Sequence, residues 1–179
     1  MKIAVLGTGT VGSVMSARLT ELGHEVTVGA REASSETLVP FQAQGVATGS
    51  FDDAAAASEL VINATNGNHS ATVFESISAD SIVGKTVIDL ANKLDHSKGM
   101  AAAASATPEN SVALEIKDAA PGANVVKALN TMNSSVMVKP SAVPGDHVVF
   151  VSGDSDDAKA QVKTLLAEFG WNPQQIVDL

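Results

Sequence analysis

Glycines at positions 7, 9 and 12 follow directly on the apolar run Ile3-Ala-Val-Leu6, and that spacing suits one task above others, holding a pyrophosphate against backbone amides. Gly7 permits the tight turn out of a strand, Gly9 lets the backbone approach the phosphates, and Gly12 lets the next helix pack closely on the strand. Free N–H groups at the helix start, with the positive end of its dipole, then face the anion. A glycine triplet alone is equally compatible with a structural turn. Its context separates the two readings: Val11, Met15, Leu19 and Leu22 recur at helical spacing and stop at Gly23. Gly7, Thr8, Gly9, Thr10, Val11 and Gly12 are therefore the first candidate cofactor-binding residues.

The second chemical group lies about 20 positions on, where a dinucleotide's adenosine ribose is read. An acidic residue there suits the ribose hydroxyls of NAD, whereas an arginine accommodates the 2′-phosphate of NADP. Counting alone picks Glu32. The strand pattern picks Arg31, because Glu25-Val-Thr-Val28 alternates as a strand, its tip is Gly29-Ala30, and Arg31 is the first charged side chain beyond. With Ser34 and Ser35 as hydroxyl donors, the group Ala30, Arg31, Ser34 and Ser35 predicts NADP(H); the plain alternative for Arg31 is a solvated loop cation.

Two polar loops complete the set. Ala64, Thr65 and Asn66 end the strand Leu60–Ala64, and Asn130-Thr-Met-Asn-Ser-Ser135 follows the strand Asn124–Leu129. Ligands of open α/β sheets bind outside such strand ends. Asn92, Asn130 and Thr131 are hydrogen-bonding candidates for positioning a ring, with loop stabilisation through Asx turns as the competing role. No acid–base pair stands out, which fits hydride transfer, where the cofactor carries the reactivity and the protein supplies placement. His69 reads as a first-turn surface residue, and Asp89 with Lys127 as a partly buried pair with a packing role.

The elements that must position these groups alternate strand and helix throughout, which predicts an α/β, Rossmann-type, doubly wound and mainly parallel sheet with helices on both faces. Ser35 is predicted to cap a second helix containing Leu38, Pro40 and Phe41 and ending at Gly45, Val46–Phe51 to be an extended connector, and Asp52-Asp53 to open an alanine-rich helix. Asn68 is predicted to cap a helix bearing Val73, Phe74 and Ile77. Thr86–Leu90 is a fourth strand; Leu94–Thr107 reads as a lid or a stray helical turn; Thr107 with Pro108 should open a helix carrying Val112, Ile116 and Ala119. His147–Val151 and Gln175–Leu179 are further strands around a helix marked by Ala158, Val162, Leu165, Leu166 and Phe169. The loops after Leu6, Gly29, Ala64, Leu90 and Leu129 should open on one side.

Length and composition narrow the classes. At 179 residues, 45% of them hydrophobic, residues 1–179 are expected to form a single NADP-binding domain. The net charge of −9, from 11 Lys and Arg against 20 Asp and Glu, disfavours nucleic acid and anionic membranes as partners. The sequence contains no cysteine, so disulfides, thiolate metal sites and thiol nucleophiles are excluded, and the four histidines lack metal-ligand spacing. Neither a signal sequence nor a membrane-spanning run is visible, and a cytoplasmic location is expected.

Taken together, Gly7-Thr-Gly-Thr-Val-Gly12, Leu22-Gly-His-Glu-Val26, Val28-Gly-Ala-Arg31 and Val126-Lys-Ala-Leu-Asn-Thr131 make the chain resemble the F420-dependent NADP oxidoreductase family over essentially its whole length. The dinucleotide half also resembles 6-phosphogluconate and hydroxyacid dehydrogenases. The family resemblance implies a 2′-phosphate contact at Thr8, Ala30, Arg31 and Ser35, and nicotinamide contacts at Ala64, Thr65 and Asn66 and at Leu90, Ala91 and Asn92. It further implies hydride exchange between NADP(H) and a planar second substrate, the deazaflavin coenzyme F420. Two departures bear on that substrate: Asn130 stands where family members that use the deazaflavin often have histidine, and the sequence stops at Leu179 where those members continue into a helical segment. A homodimer that covers the open pocket is expected. The competing readings are a non-catalytic NADP-binding redox sensor or partner module, and an NADPH-dependent reductase of another flavin or a carbonyl compound.

Overall fold

Strands that are apolar on both sides need cover on both sides, and in the computed structural model each face of the sheet has its own core. Residues 1–95, 97, 103–104 and 110–179 are described. The strands are β1 (Lys2–Leu6), β2 (Glu25–Ala30), β3 (Ala47–Ser50), β4 (Leu60–Asn63), β5 (Thr86–Asp89), β6 (Leu94–Asp95), β7 (Ala103–Ala104), β8 (Asn124–Ala128), β9 (Val149–Gly153) and β10 (Ile176–Asp178). The helices are α1 (Thr10–Glu21), α2 (Val39–Ala43), α3 (Phe51–Ala56), α4 (Ser70–Glu75), α5 (Ala79–Ile82), α6 (Val112–Ala119), α7 (Ser134–Met137) and α8 (Asp156–Glu168). Alternate residues of β1 divide between the two cores, Ile3 and Val5 joining Met15 and Leu19 of α1, Ala4 and Leu6 joining Ala54 of α3 and Phe74 of α4.

The eight-stranded sheet runs in the order β10-β9-β8-β5-β4-β1-β2-β3. All neighbours pair in parallel except β8 and β9. The predicted sheet is thus present, mainly parallel, with β1, β2, β4, β5 and β8 ending on one side. The exception has a local cause. Between β8 and β9 the chain forms only the four-residue α7 and a single 3₁₀ turn at Pro140–Ala142, with no helix long enough to lie back across the sheet. The longer α8 does make a crossover, so β10 runs parallel to β9.

Several local expectations are corrected. The segment 47–50 is the edge strand β3, paired with β2 from Thr27↔Ala47 to Ala30↔Ser50, rather than a connector. Ser35 opens a 3₁₀ turn, but its hydroxyl bonds Thr37 Oγ1 at 2.8 Å and makes no cap. His69, not Asn68, holds the cap position of α4; Asn68 Nδ2 instead donates to Leu94 O at 3.2 Å. The helix expected from Thr107 begins at Val112 with Ser111 as its cap, accepting from Leu114 N. Thr107 and Pro108 themselves lie outside the described residues. Within the 94–107 stretch, Leu94–Asp95 pairs antiparallel with Ala103–Ala104. No helix among the described residues is long and apolar enough to cross a membrane.

Candidate functional site

The glycine turn has the geometry its spacing predicts. Gly7 has φ +113, and a Cβ there would stand 2.6 Å from Ala64 O, so the turn rests directly on the end of β4. A Cβ on Gly12 would stand 2.0 Å from Gly7 O, leaving no room between helix and turn. Gly9 differs: a Cβ there meets no protein atom within 4 Å, so its face is open. Gly9 caps α1 without a side chain, and no acidic residue stands in the first helical turn. The positive end of the α1 dipole is therefore unopposed, which suits an anion.

At the tip of β2, Arg31 is exposed and makes no ion pair among the described residues. Ser34 is exposed beside it, and Ser35 N donates to Glu32 O at 3.0 Å to form the turn that presents them. Ala30 is buried and pairs with Ser50 at the end of β3. Next to that pairing, the hydroxyl and amide of Ser50 hold the Asp53 carboxyl below the usual aspartate range, both as hydrogen-bond donors.

Beyond β4, β5 and β8 a cleft of about 280 Å³ gathers most of the remaining candidates: Val11 of α1, Ala64, Thr65, Asn66, Leu90, Ala91, Asn92 and Asn130. Thr131 is exposed and does not line it. Beneath the cleft lies a buried polar network. Asn63 Nδ2 donates to Asp89 Oδ1 at 2.9 Å and to Ser70 Oγ at 3.0 Å, while Asn63 Oδ1 accepts from Thr65 Oγ1 at 2.6 Å and Thr65 N at 3.2 Å. Asp89 Oδ1 also accepts from Ala91 N at 3.0 Å. The expected pair forms, Lys127 Nζ lying 2.7 Å from Asp89 Oδ2, and the same ammonium donates to Ala91 O. One connected set of bonds therefore holds both the 64–66 and the 90–92 loops. Asn63, Ser70 and Asp89 are each 0% exposed, and buried polar groups of this kind are tolerated because each is paired.

At the cleft wall, Asn92 Nδ2 donates to Asn130 O at 2.6 Å and Asn130 Nδ2 donates to Asn92 Oδ1 at 3.0 Å. The two candidates bridge the β5 and β8 loops instead of forming separate Asx turns. Gly67 sits under Asn92, where a Cβ would meet Asn92 O at 2.3 Å. Gly67, Asn63 and Ser70 are not among the candidates the sequence offers, nor are Leu94, Met132 and Met137, which line the cleft. The asparagine at the end of an otherwise apolar strand was the available signal for Asn63; the apolar three carry none.

Residues 2–93 match the family described as NADP oxidoreductase, coenzyme F420-dependent. The chain belongs to that family. Within the F420-dependent NADP oxidoreductases it is similar to a crystal structure from Arthrobacter sp. FB24, provisionally assigned as an F420-dependent NADP-reductase, at 43% identity and a TM-score of 0.89, over 100% of this chain and 84% of that one. It is also similar to the hypothetical protein SMa0349 of Sinorhizobium meliloti, at 26% identity and a TM-score of 0.78 over the same shares. An imine reductase, BcSIRED from Bacillus cereus BAG3X2, shares the fold at 24% identity and a TM-score of 0.67; the match covers 98% of this chain and 52% of that longer protein. Family membership makes this protein an NADP-binding oxidoreductase domain.

Proposed function

We propose that residues 1–179 act as one NADP-binding unit that exchanges a hydride between NADP(H) and a second planar redox cofactor, with the deazaflavin F420 as the leading candidate. The observation that carries this reading is the continuity of the site. Val11, in the first turn of the helix behind the glycine turn, lines the same cleft as the loops after β4, β5 and β8. In this reading the open face of Gly9 and the first amides of α1 receive the pyrophosphate, Arg31 with Ser34 and Ser35 grips the 2′-phosphate, and Ala64–Asn66 with Leu90–Asn92 hold the nicotinamide. When bound, the nicotinamide supplies the hydride. The chain's own part is to fix the ring by the two hydrogen-bonded loops, against a wall whose described residues carry no charge.

That last property favours a planar acceptor. Among the described residues lining the cleft none is titratable. Reducing an isolated carbonyl or imine needs a proton delivered to oxygen or nitrogen by a placed donor. A conjugated ring spreads the added charge over several atoms, so its protonation need not accompany hydride transfer and can follow from solvent after release. Asn66 and Asn92 on the cleft rim are exposed, which leaves the second ring to be covered by another surface, and a second copy of this chain is the proposed cover.

The test mixes the protein with NADPH and, separately, oxidised F420, a flavin, a cyclic imine and a carbonyl compound, and follows the nicotinamide absorbance. Turnover with F420 is expected. Turnover with the imine or carbonyl compound alone would overturn the acceptor assignment. Tight NADPH binding with no turnover on any acceptor would leave the sensor or partner-module reading. A dimer mass by light scattering, lost in parallel with turnover on dilution, is the outcome expected for the cover.

A further inference from the structure

We infer that Asn92 and Asn130 form a specificity-determining pair that reads the carboxamide of the nicotinamide ring; the inference rests on the dinucleotide-binding reading above. Hydrogen-bond logic fixes the polarity of the pair. A backbone carbonyl only accepts, so the Asn92 atom 2.6 Å from Asn130 O is the amide nitrogen. Asn92 Oδ1 is then the acceptor facing Asn130, and the Asn130 atom 3.0 Å from it is again the nitrogen. With both side chains oriented, Asn130 Oδ1 has no partner among the described residues, and Asn92 Nδ2 keeps one N–H unused. Both residues line the cleft, so the pair has one uncharged acceptor and one uncharged donor left over, the complement of a primary carboxamide.

The surroundings hold this pair in place at a cost. β8 leads into Leu129, which is buried and has φ +63, the only positive φ at a non-glycine among the described residues. Strain of this kind persists where neighbouring structure over-determines it, and it concentrates at functional sites. Gly67 lies against Asn92 O with no room for a side chain, and Lys127 pins Ala91 O from the other side. A pair serving only to close a loop requires none of this: an exposed loop link tolerates many geometries, whereas reading a flat amide demands one.

The experiment measures dissociation constants by calorimetry for three probes: NADPH, its acetylpyridine analogue, in which a methyl replaces the amide nitrogen, and adenosine 2′,5′-bisphosphate, which has no nicotinamide. The parent is expected to prefer NADPH to the analogue by roughly three- to tenfold, the value of one neutral hydrogen bond. Asn130→Ala and the volume-keeping Asn130→Leu should bind both dinucleotides alike, and both should bind the bisphosphate as the parent does. Two variants of different size guard against one that fails to fold, and unfolding midpoints are recorded for each. A parent without preference, a preference that survives in both variants, or an equal loss on the bisphosphate overturns the inference. Should the parent bind neither NADPH nor the bisphosphate, the dinucleotide reading itself fails, a result visible before any variant is made.

Discussion

At the cleft end of the site, Asn63, Ser70 and Asp89 are fully buried and hold two loops through a continuous set of hydrogen bonds, anchored from β8 by Lys127. At the β2 end, Arg31 and Ser34 stand in solvent, and Arg31 has no ion pair among the described residues. Under the proposed function the contrast separates two tasks. Bringing a ring to within reacting distance of a partner depends on tenths of an ångström, a demand that suits loops tied together by buried hydrogen bonds. Recognising a phosphate depends on charge, and a flexible cation of fixed protonation can find it from many starting rotamers. The first task needs burial, the second needs exposure.

Removing Lys127 should break this contrast most severely. Lys127→Met leaves the Asp89 carboxylate at 0% exposure without its countercharge, and stripping one partner from a buried pair typically costs about 3–5 kcal/mol. Arg31→Ala should stay within about 0.5 kcal/mol of the parent, as exposed substitutions do. Urea unfolding of both variants checks the pair of expectations, and equal losses would erase the distinction between the two ends. Asp89→Asn combined with Lys127→Met removes both charges and should recover part of the loss.

The glycine turn joins the two ends and shares in both behaviours. Gly9→Val adds a side chain where no protein atom lies within 4 Å, at an ordinary φ of −76, so folding should be nearly unchanged. The same side chain would fill the open face proposed to receive the pyrophosphate. NADPH binding should fall by about a hundredfold, equivalent to roughly 2.7 kcal/mol, as read by calorimetry. Gly12→Ala should do the reverse, destabilising the fold first, because its Cβ would lie 2.0 Å from Gly7 O. A Gly9→Val protein that binds NADPH normally would mark the turn as purely structural.

What could be read in advance follows the same division. The β1 to α1 turn and the Arg31 tip were legible because their signals are local: glycine spacing, an apolar run and the first charge after a strand. β3 was not legible, because Ala47-Thr-Gly-Ser50 has no apolar pattern and is a strand only by pairing with β2. The α6 start was misplaced because Thr107-Pro108 carries a strong local start signal, whereas the observed cap, Ser111, lies four positions on with no proline behind it. The Asp89–Lys127 pair was visible as two charges in strands, yet its extension through Asn63 to Ser70 depends on the register Asn63↔Asp89. The link between Asn92 and Asn130 spans 38 positions and depends on β5 lying beside β8. Long-range order of this kind leaves no mark in a window of sequence.

Arg31→Ala sharpens the comparison at the exposed end. Each charge-assisted hydrogen bond to a phosphate is worth roughly 1.5–3 kcal/mol. Losing one should weaken NADPH by about ten- to a hundredfold and leave NADH nearly unchanged, since NADH has no 2′-phosphate. Glu32→Ala serves as the control: were Glu32 reading the ribose hydroxyls, it would weaken NADH selectively and Arg31→Ala would do little. Dissociation constants of both cofactors for both variants decide between them. Equal losses for the two cofactors in Arg31→Ala would remove Arg31 from the phosphate.

The smallest expected effect is also the most specific to an exposed charge. Ionic strength screens Arg31, which stands in solvent, over a Debye length of about 10 Å at 0.1 M salt. It screens equally the repulsion between the ligand's phosphates and a chain of net charge −9, so the raw salt dependence of NADPH binding mixes two opposing terms. The ratio of NADPH dissociation constants between parent and Arg31→Ala largely cancels the diffuse term, because the two proteins differ by one charge in their background. That ratio should shrink by roughly two- to threefold between low and high salt, while the corresponding ratio for NADH stays flat. The cleft end supplies the internal reference: the parent's preference for NADPH over the acetylpyridine analogue depends on uncharged groups and should not change with salt. A parent-to-variant ratio that is constant across the salt series would mean that Arg31 meets the phosphate in a closed, desolvated contact, and the difference between the two ends would then lie in when the contact forms and no longer in how it is built.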